Sequence, residues 1–134
     1  MKNIAVCAYF INDAHRRQIN EAAKKVGYSV AYFETQAALA EEIANCEVVF
    51  GYIPTGLLPG AKQMRWLCAA SAGVDHLMDD ALWADPDCIL TNSSGAYGPA
   101  ISEHIVMALL MLLRRMPEYT QFSTLDKRYG DDED

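Results

Sequence analysis

The sequence predicts an α/β fold, a parallel β-sheet with helices on both faces. Short, near-continuous apolar runs recur five times along the 134 residues, and such runs fit strands buried on both faces. Stretches with helical spacing or turn residues separate them. Strands that alternate with crossovers of this kind pair in parallel and carry helices on both sides.

Each element follows in order. Residues 3–10 are the first apolar run. Asn12 or Asp13 can cap the helix after it. In that helix Ile19, Ala22, Ala23 and Val26 fall at i, i+3, i+4 and i+7, one helical face. Gly27 supplies the left-handed stop. Residues 28–34 read as the second strand. Thr35 caps a second helix that buries Leu39 and Ile43. Residues 47–53 are the third strand, stopped by Pro54. Pro54, Gly56, Pro59 and Gly60 make residues 54–64 a loop with room for one helical turn. Residues 65–70 are the fourth strand, residues 76–84 read as a short helix, and residues 88–92 are the fifth strand.

A long helix comes next. Gly98 precedes it and Pro99 suits its first position, where a missing N–H costs nothing. Glu103 is assigned to its first turn and Arg114 and Arg115 to its last, in keeping with the helix dipole. Pro117 either ends the helix or opens a further short one through about Tyr129. Five strands with these connections favour the flavodoxin-like order 2-1-3-4-5. Residues 1–130 are read as one domain, and residues 131–134 as a solvated acidic tail.

Composition sets limits on function. Lys and Arg number 11 against 18 Asp and Glu, for a net charge of −7. No basic stripe exists, which argues against a nucleic-acid partner. The longest apolar run, Ile105 to Leu113, falls well short of the roughly 20 residues of a bilayer span, so no membrane is expected. The N-terminus reads as a strand, without the apolar core and cleavage site of a signal peptide. Cys7, Cys46, Cys68 and Cys88 are far apart in sequence, so no CxxC pair exists, and buried thiols in a reducing cytoplasm are expected. No spacing of His, Cys, Asp and Glu suits a metal.

Ligands of such sheets sit beyond the carboxyl ends of the strands. Two stretches there carry chemistry. Ser71-Ala72-Gly73-Val74-Asp75 follows the fourth strand, and its small residues can leave N–H groups unpaired in a nest for a carboxylate or phosphate. It can equally be a tight βα turn in which Asp75 caps the next helix. Thr91 to Gly98 brings hydroxyls, a phenol and a helix N-terminus together, which suits an anion, or serves as an ordinary capping loop. Of the histidines, His15 is placed on an exposed helix and only His76 adjoins a candidate site; surface or capping roles are favoured for His15, His76 and His104. No GxGxxG and no P-loop occurs, and no nucleophile–histidine–acid set is visible.

Arg65-Trp66-Leu67, Ser71 to Asp75, Leu90 to Tyr97 and Ile101-Ser102-Glu103-His104, at this spacing, resemble the N-terminal domain of D-isomer-specific 2-hydroxyacid dehydrogenases over residues 1–120. The resemblance implies a flavodoxin-like substrate domain, partnered in the full enzyme by an inserted Rossmann domain that binds NAD or NADP. It implies that Ala72, Gly73 and Val74 give backbone N–H groups to the substrate carboxylate, that Ser94 and Tyr97 lie near the cleft, and that Ile101 faces the nicotinamide. The family's glycine motif and its catalytic Arg, Glu and His lie in or beyond the Rossmann part, which this sequence lacks. The resemblance therefore implies no catalytic residue and no bound cofactor in this chain, with a small 2-hydroxy or 2-keto acid as ligand.

Residues 105–113 are apolar around the whole helix, and such a helix needs cover on all sides. A homodimer through helix 99–116 is expected. Two other readings stand beside the dehydrogenase one. The chain can be a non-catalytic or engineered flavodoxin-like module, acting as a scaffold or weak carboxylate binder. It can also be a self-contained enzyme using Glu103, His76 or His104, which is disfavoured.

Overall fold

The computed structural model describes residues 2–121. It divides into two compact units, Met1–Ser94 and Gly95–Asp134, each described here by itself.

The first unit contains strands β1 (Asn3–Cys7), β2 (Ser29–Tyr32), β3 (Val48–Gly51), β4 (Trp66–Ala69) and β5 (Ile89–Thr91). Their order is β2-β1-β3-β4-β5, and every pairing is parallel. This is the order expected from the sequence. Each strand is shorter than its apolar run, because pairing ends before apolarity does. β1 stops at Cys7, opposite Gly51. Gly51 has a φ of +135°, and a Cβ there would overlap the Cys7 carbonyl, so only glycine lets β1 and β3 approach so closely. Tyr9 and Phe10, expected in the strand, lie beyond it in a turn.

The chain steps one way along the sheet from β1 to β2 and the other way from β2 to β3, so right-handed crossovers place these two connections on opposite faces. Helix α1 (Asp13–Lys25) makes the first. Asn12 caps it as expected: its Oδ1 accepts the His15 N–H at 3.0 Å, and His15 Nδ1 accepts the Asn12 N–H at 3.4 Å. His15 is therefore part of the cap. The expected apolar stripe is narrower than its spacing suggests. Ala23 is buried and Ile19 half-buried, but Ala22 is exposed and Val26 is 64% exposed. The helix ends at Lys25, and Val26 stands at the cap just before Gly27 turns the chain at φ +78°.

Helix α2 (Gln36–Glu42) makes the second crossover. Thr35 Oγ1 accepts the Ala38 N–H at 3.2 Å, and Leu39 and, in the 3-10 turn that follows, Ile43 are buried as expected. These two join Ala5, Val49, Leu67 and Leu58 in the main core on one face of the sheet. Residues Thr55–Gly60 form a 3-10 turn. Residues 76–84 are two 3-10 turns, Asp75–Leu77 and Asp80–Leu82, rather than the expected helix. Both partners of the middle helical bond are diverted: Trp83 Nε1–H donates to the Leu77 carbonyl at 2.9 Å, and the Ala81 N–H donates to Asp79 Oδ1 at 3.0 Å.

The second unit consists of α3 (Gly98–Leu113) and α4 (Met116–Gln121). Pro99 sits in the first turn as expected, but Gly98 is inside the helix, and neither Glu103 nor the two arginines occupy its end turns. Arg114 is the C-cap, and Arg115 adopts a φ of 54° and pairs with Glu118. No α3 residue is buried, and every large apolar side chain from Ile105 to Leu113 is at least 40% exposed. The further helix expected through Tyr129 and the tail 131–134 lie, beyond Gln121, outside the described residues. No helix among the described residues is long and apolar enough to cross a membrane.

Candidate functional site

β4 ends at Ala69 and the chain turns through Ser71–Asp75 at the carboxyl edge of the sheet. The carbonyls of Ala72, Gly73 and Val74 in this turn are each occupied. Asn92 Nδ2–H donates to the Ala72 carbonyl at 2.7 Å, Ser71 Oγ–H to the Gly73 carbonyl at 2.9 Å, and the Leu77 N–H to the Val74 carbonyl at 2.8 Å. The N–H groups of Ala72, Gly73 and Val74 donate to no acceptor among the described residues. A turn whose acceptors are tied down and whose donors are open suits an anion. A neutral turn would leave those donors to water.

Gly73 is not at positive φ, so the turn does not need glycine for its backbone. A Cβ built on Gly73 would meet nothing within 4 Å, so a side chain there would stand in open space. Asp75 is not a cap: Val74 holds the capping position, without a side-chain bond, and Asp75 is the first residue of the 3-10 turn.

The second polar stretch meets the first through β5. Ser93 N–H donates to the Ser71 carbonyl at 3.0 Å, and Ser93 Oγ–H to the Ala69 carbonyl at 3.4 Å. The Ser94 N–H donates to Asn92 Oδ1 at 3.3 Å, so Asn92 accepts on one side of its amide and donates to Ala72 on the other. That pattern fixes the orientation of the carboxamide. Ser94 is thus joined to the Ala72–Val74 turn through Asn92. Tyr97 and Ile101 belong to the second unit. There Tyr97 is the N-cap of α3, its carbonyl accepts the Ile101 N–H at 3.0 Å, and Ile101 is 56% exposed.

A hollow of about 480 Å³ lies at the ends of β3 and β4, lined by Gln36, Tyr52, Pro54, Thr55, Ser71 and His76 among others. A second, of about 310 Å³, is lined by Val74, Leu77, Trp83, Cys88, Leu90 and Asn92 among others. Burial pushes the Cys88 thiol up, as it does those of Cys7 and Cys46, which disfavours a thiolate nucleophile. Among the described residues no three His, Cys, Asp or Glu side chains group to hold a metal.

Sequence reasoning missed Asn92 as the link between the two stretches, and it missed the aromatic residues beyond β1. Tyr9 stacks on Tyr52 with centroids 5.9 Å apart and planes at 10°, and Phe10 lies edge-on to both. The signal available was the short spacing from the run to its cap at Asn12. The same connection tests the fit of a dinucleotide, which needs a glycine turn between the first strand and its helix. Here Tyr9, Phe10, Ile11 and Asn12 stand there without a glycine, and Asn12 already fills the helix N-terminus. These residues do not fit a pyrophosphate.

No protein-family profile matches this sequence, and no curated protein matches it. Solved structures share its fold. A D-isomer specific 2-hydroxyacid dehydrogenase family protein from Aeromonas salmonicida subsp. salmonicida A449 matches with a TM-score of 0.75 and 24% identity, over 99% of this chain and 42% of its own. An NAD-dependent formate dehydrogenase from Staphylococcus aureus, solved in complex with NAD, matches with a TM-score of 0.70 and 19% identity, over 94% of this chain and 42% of its own. This chain has the fold of a part of each and spans 42% of their length.

Proposed function

We propose that this chain is the substrate-binding part of a D-isomer-specific 2-hydroxyacid dehydrogenase, and that its own task is to hold the carboxylate of a small 2-hydroxy or 2-keto acid. One observation carries the reading: the Ala72, Gly73 and Val74 amides are open while the carbonyls between them are tied down. A hydrogen bond to a charged group contributes about 1.5–3 kcal/mol, so two or three such amides are enough to orient a small acid. The fold it shares with the Aeromonas salmonicida protein supports the reading.

In this reading Ser94 borders the acid, and the chain works in the cytoplasm. NAD or NADP supplies the hydride in the full-length protein and is held outside this chain, whose β1–α1 turn does not suit it. Proton transfer and cofactor binding are likewise assigned elsewhere, so the chain alone is silent. The glycine-free β1–α1 turn also favours a second reading, a non-catalytic module that binds carboxylates weakly.

NMR titration with pyruvate or glyoxylate tests the cradle. Amide shifts centred on residues 71–75 are expected, and their absence at millimolar acid counts against both readings. The exposed apolar shell of α3 supports association of two copies through helix 99–116. Light scattering at micromolar concentration is expected to give a dimer, and Leu109→Glu with Leu113→Glu a monomer. A wild-type monomer would remove the dimer from the proposal.

A further inference from the structure

The smaller hollow, of about 310 Å³, lies where the core opens between β5 and the two 3-10 turns that precede it. Its walls are apolar. Leu77 is buried, and Trp83, Cys88 and Leu90 pack on the main core and line the hollow. Burial keeps the Cys88 thiol protonated, so it adds no charge. The Trp83 Nε1–H is already given to the Leu77 carbonyl at 2.9 Å, so the indole offers its ring and not its donor. That bond also holds the ring in place before anything binds, which spares a ligand the cost of ordering it.

Of the residues lining the hollow a single one is charged, Asp80. Asp80 stands three residues before Trp83, in a 3-10 turn closed by the Trp83 N–H on the Asp80 carbonyl at 3.2 Å. Side chains so spaced line up on one side of such a turn, which sets the carboxylate beside the indole. Its neighbour Asp79 is committed, since Oδ1 accepts the Ala81 N–H. The Asp80 side chain makes no hydrogen bond and no ion pair among the described residues. Asn92, the other polar residue of the lining, has both ends of its carboxamide engaged, with the Ala72 carbonyl and the Ser94 N–H. An apolar hollow with one unpaired carboxylate and one aromatic ring matches a cation with an apolar body. Its size lies at the low end for a ligand pocket, which suits a small molecule.

We propose that this hollow binds a small primary amine with an apolar body, its ammonium group at Asp80 and its body against Trp83, Cys88 and Leu90. The site takes the opposite charge to the Ala72–Val74 amides and does not rest on the carboxylate reading.

The test is an NMR titration of the 134-residue chain with benzylamine, protonated at about pH 7, and with benzyl alcohol, its neutral match in size. Benzylamine is expected to shift the Trp83 indole N–H and the Asn92 side-chain signals. It should bind roughly fivefold more tightly than benzyl alcohol, as one exposed charge pair allows, and that advantage should shrink at high salt. Asp80→Asn should remove the advantage and leave benzyl alcohol affinity unchanged. Asp80 is exposed and its side chain bonds to nothing among the described residues, so the variant should fold, which circular dichroism checks. Equal affinity for the two probes, or an amine advantage that survives Asp80→Asn, overturns the proposal. So does benzylamine at millimolar concentration that leaves Trp83 and Asn92 unshifted, or shifts centred instead on Glu47 and Asp87. Pyruvate titration reads the amides of residues 71–75 separately, so a failed amine site leaves the carboxylate reading standing.

Discussion

The Asn92 carboxamide nitrogen lies 2.7 Å from the Ala72 carbonyl oxygen, so the last strand of the sheet holds the turn that follows its neighbour. This bond keeps the Ala72 carbonyl turned away from the amides that an anion would meet. In Asn92→Ala the carbonyl must find water, and the turn loses one of its fixed points. A hydrogen bond of this kind contributes about 1 kcal/mol, so acid affinity should fall roughly fivefold with the fold retained. Asn92→Asp should be worse, since a carboxylate cannot donate to the carbonyl and repels the incoming acid. NMR titration of both variants with pyruvate checks the order wild type, Ala, Asp.

Gly73 separates stability from binding. Its φ is not in the left-handed region and a Cβ there meets nothing within 4 Å. Gly73→Ala should therefore keep or slightly raise stability, by about 0.4–1 kcal/mol through the unfolded chain. If the acid approaches over Gly73, the methyl group displaces one charge-assisted bond, at a cost of about 1.5–3 kcal/mol. Binding should weaken roughly ten- to a hundredfold. Thermal melts paired with titrations read both; a variant that binds as well as wild type would mean the acid does not approach over Gly73.

Gly51 behaves in the opposite way. At φ +135° with the Cys7 backbone against its Cα, it has no room for a side chain. Gly51→Ala must strain its own backbone or part β1 from β3, the central pair of the sheet. A loss of about 3 kcal/mol is expected, read as a lower urea midpoint.

These glycines show which features a sequence exposes. The topology was readable because strand order follows from apolar runs and crossover handedness, which are local patterns and a general rule. The caps at Asn12 and Thr35 and the stop at Gly27 were readable for the same reason: each is decided within four residues. Strand ends were not, since pairing at Cys7 is limited by Gly51, 44 positions away, a separation that appears only once β1 lies beside β3. Tyr9 and Phe10 were absorbed into the first strand because an apolar run does not say where its partner stops. The helix expected over residues 76–84 was lost to Trp83 and Asp79, whose side chains take the groups it needed. At the site, the Ser71–Asp75 turn was legible from its small residues. Asn92 went unnoticed because a bond spanning 20 residues leaves no local mark.

Tyr28 and Glu47 give the fold an alkaline signature. The Tyr28 hydroxyl donates to Glu47 Oε1 at 3.0 Å, joining the start of β2 to the start of β3. That bond, with smaller help from burial and the Glu47 charge, holds the Tyr28 phenol above its ordinary range. The phenol donates only while protonated. Its folded pKa exceeds its unfolded one, near 10, so the folded state holds the proton more tightly. The stabilisation is whole below the unfolded value and is lost as pH rises through the folded one. Burial also raises Tyr32 and the Cys7, Cys46 and Cys88 thiols, so wild-type stability alone does not isolate Tyr28. The difference between wild type and Tyr28→Phe does. Urea midpoints should separate the two by a constant amount from pH 7 to 9 and converge above about pH 10. A gap that does not narrow at all between about pH 9 and 11 would assign the difference to packing of the ring and not to its hydrogen bond.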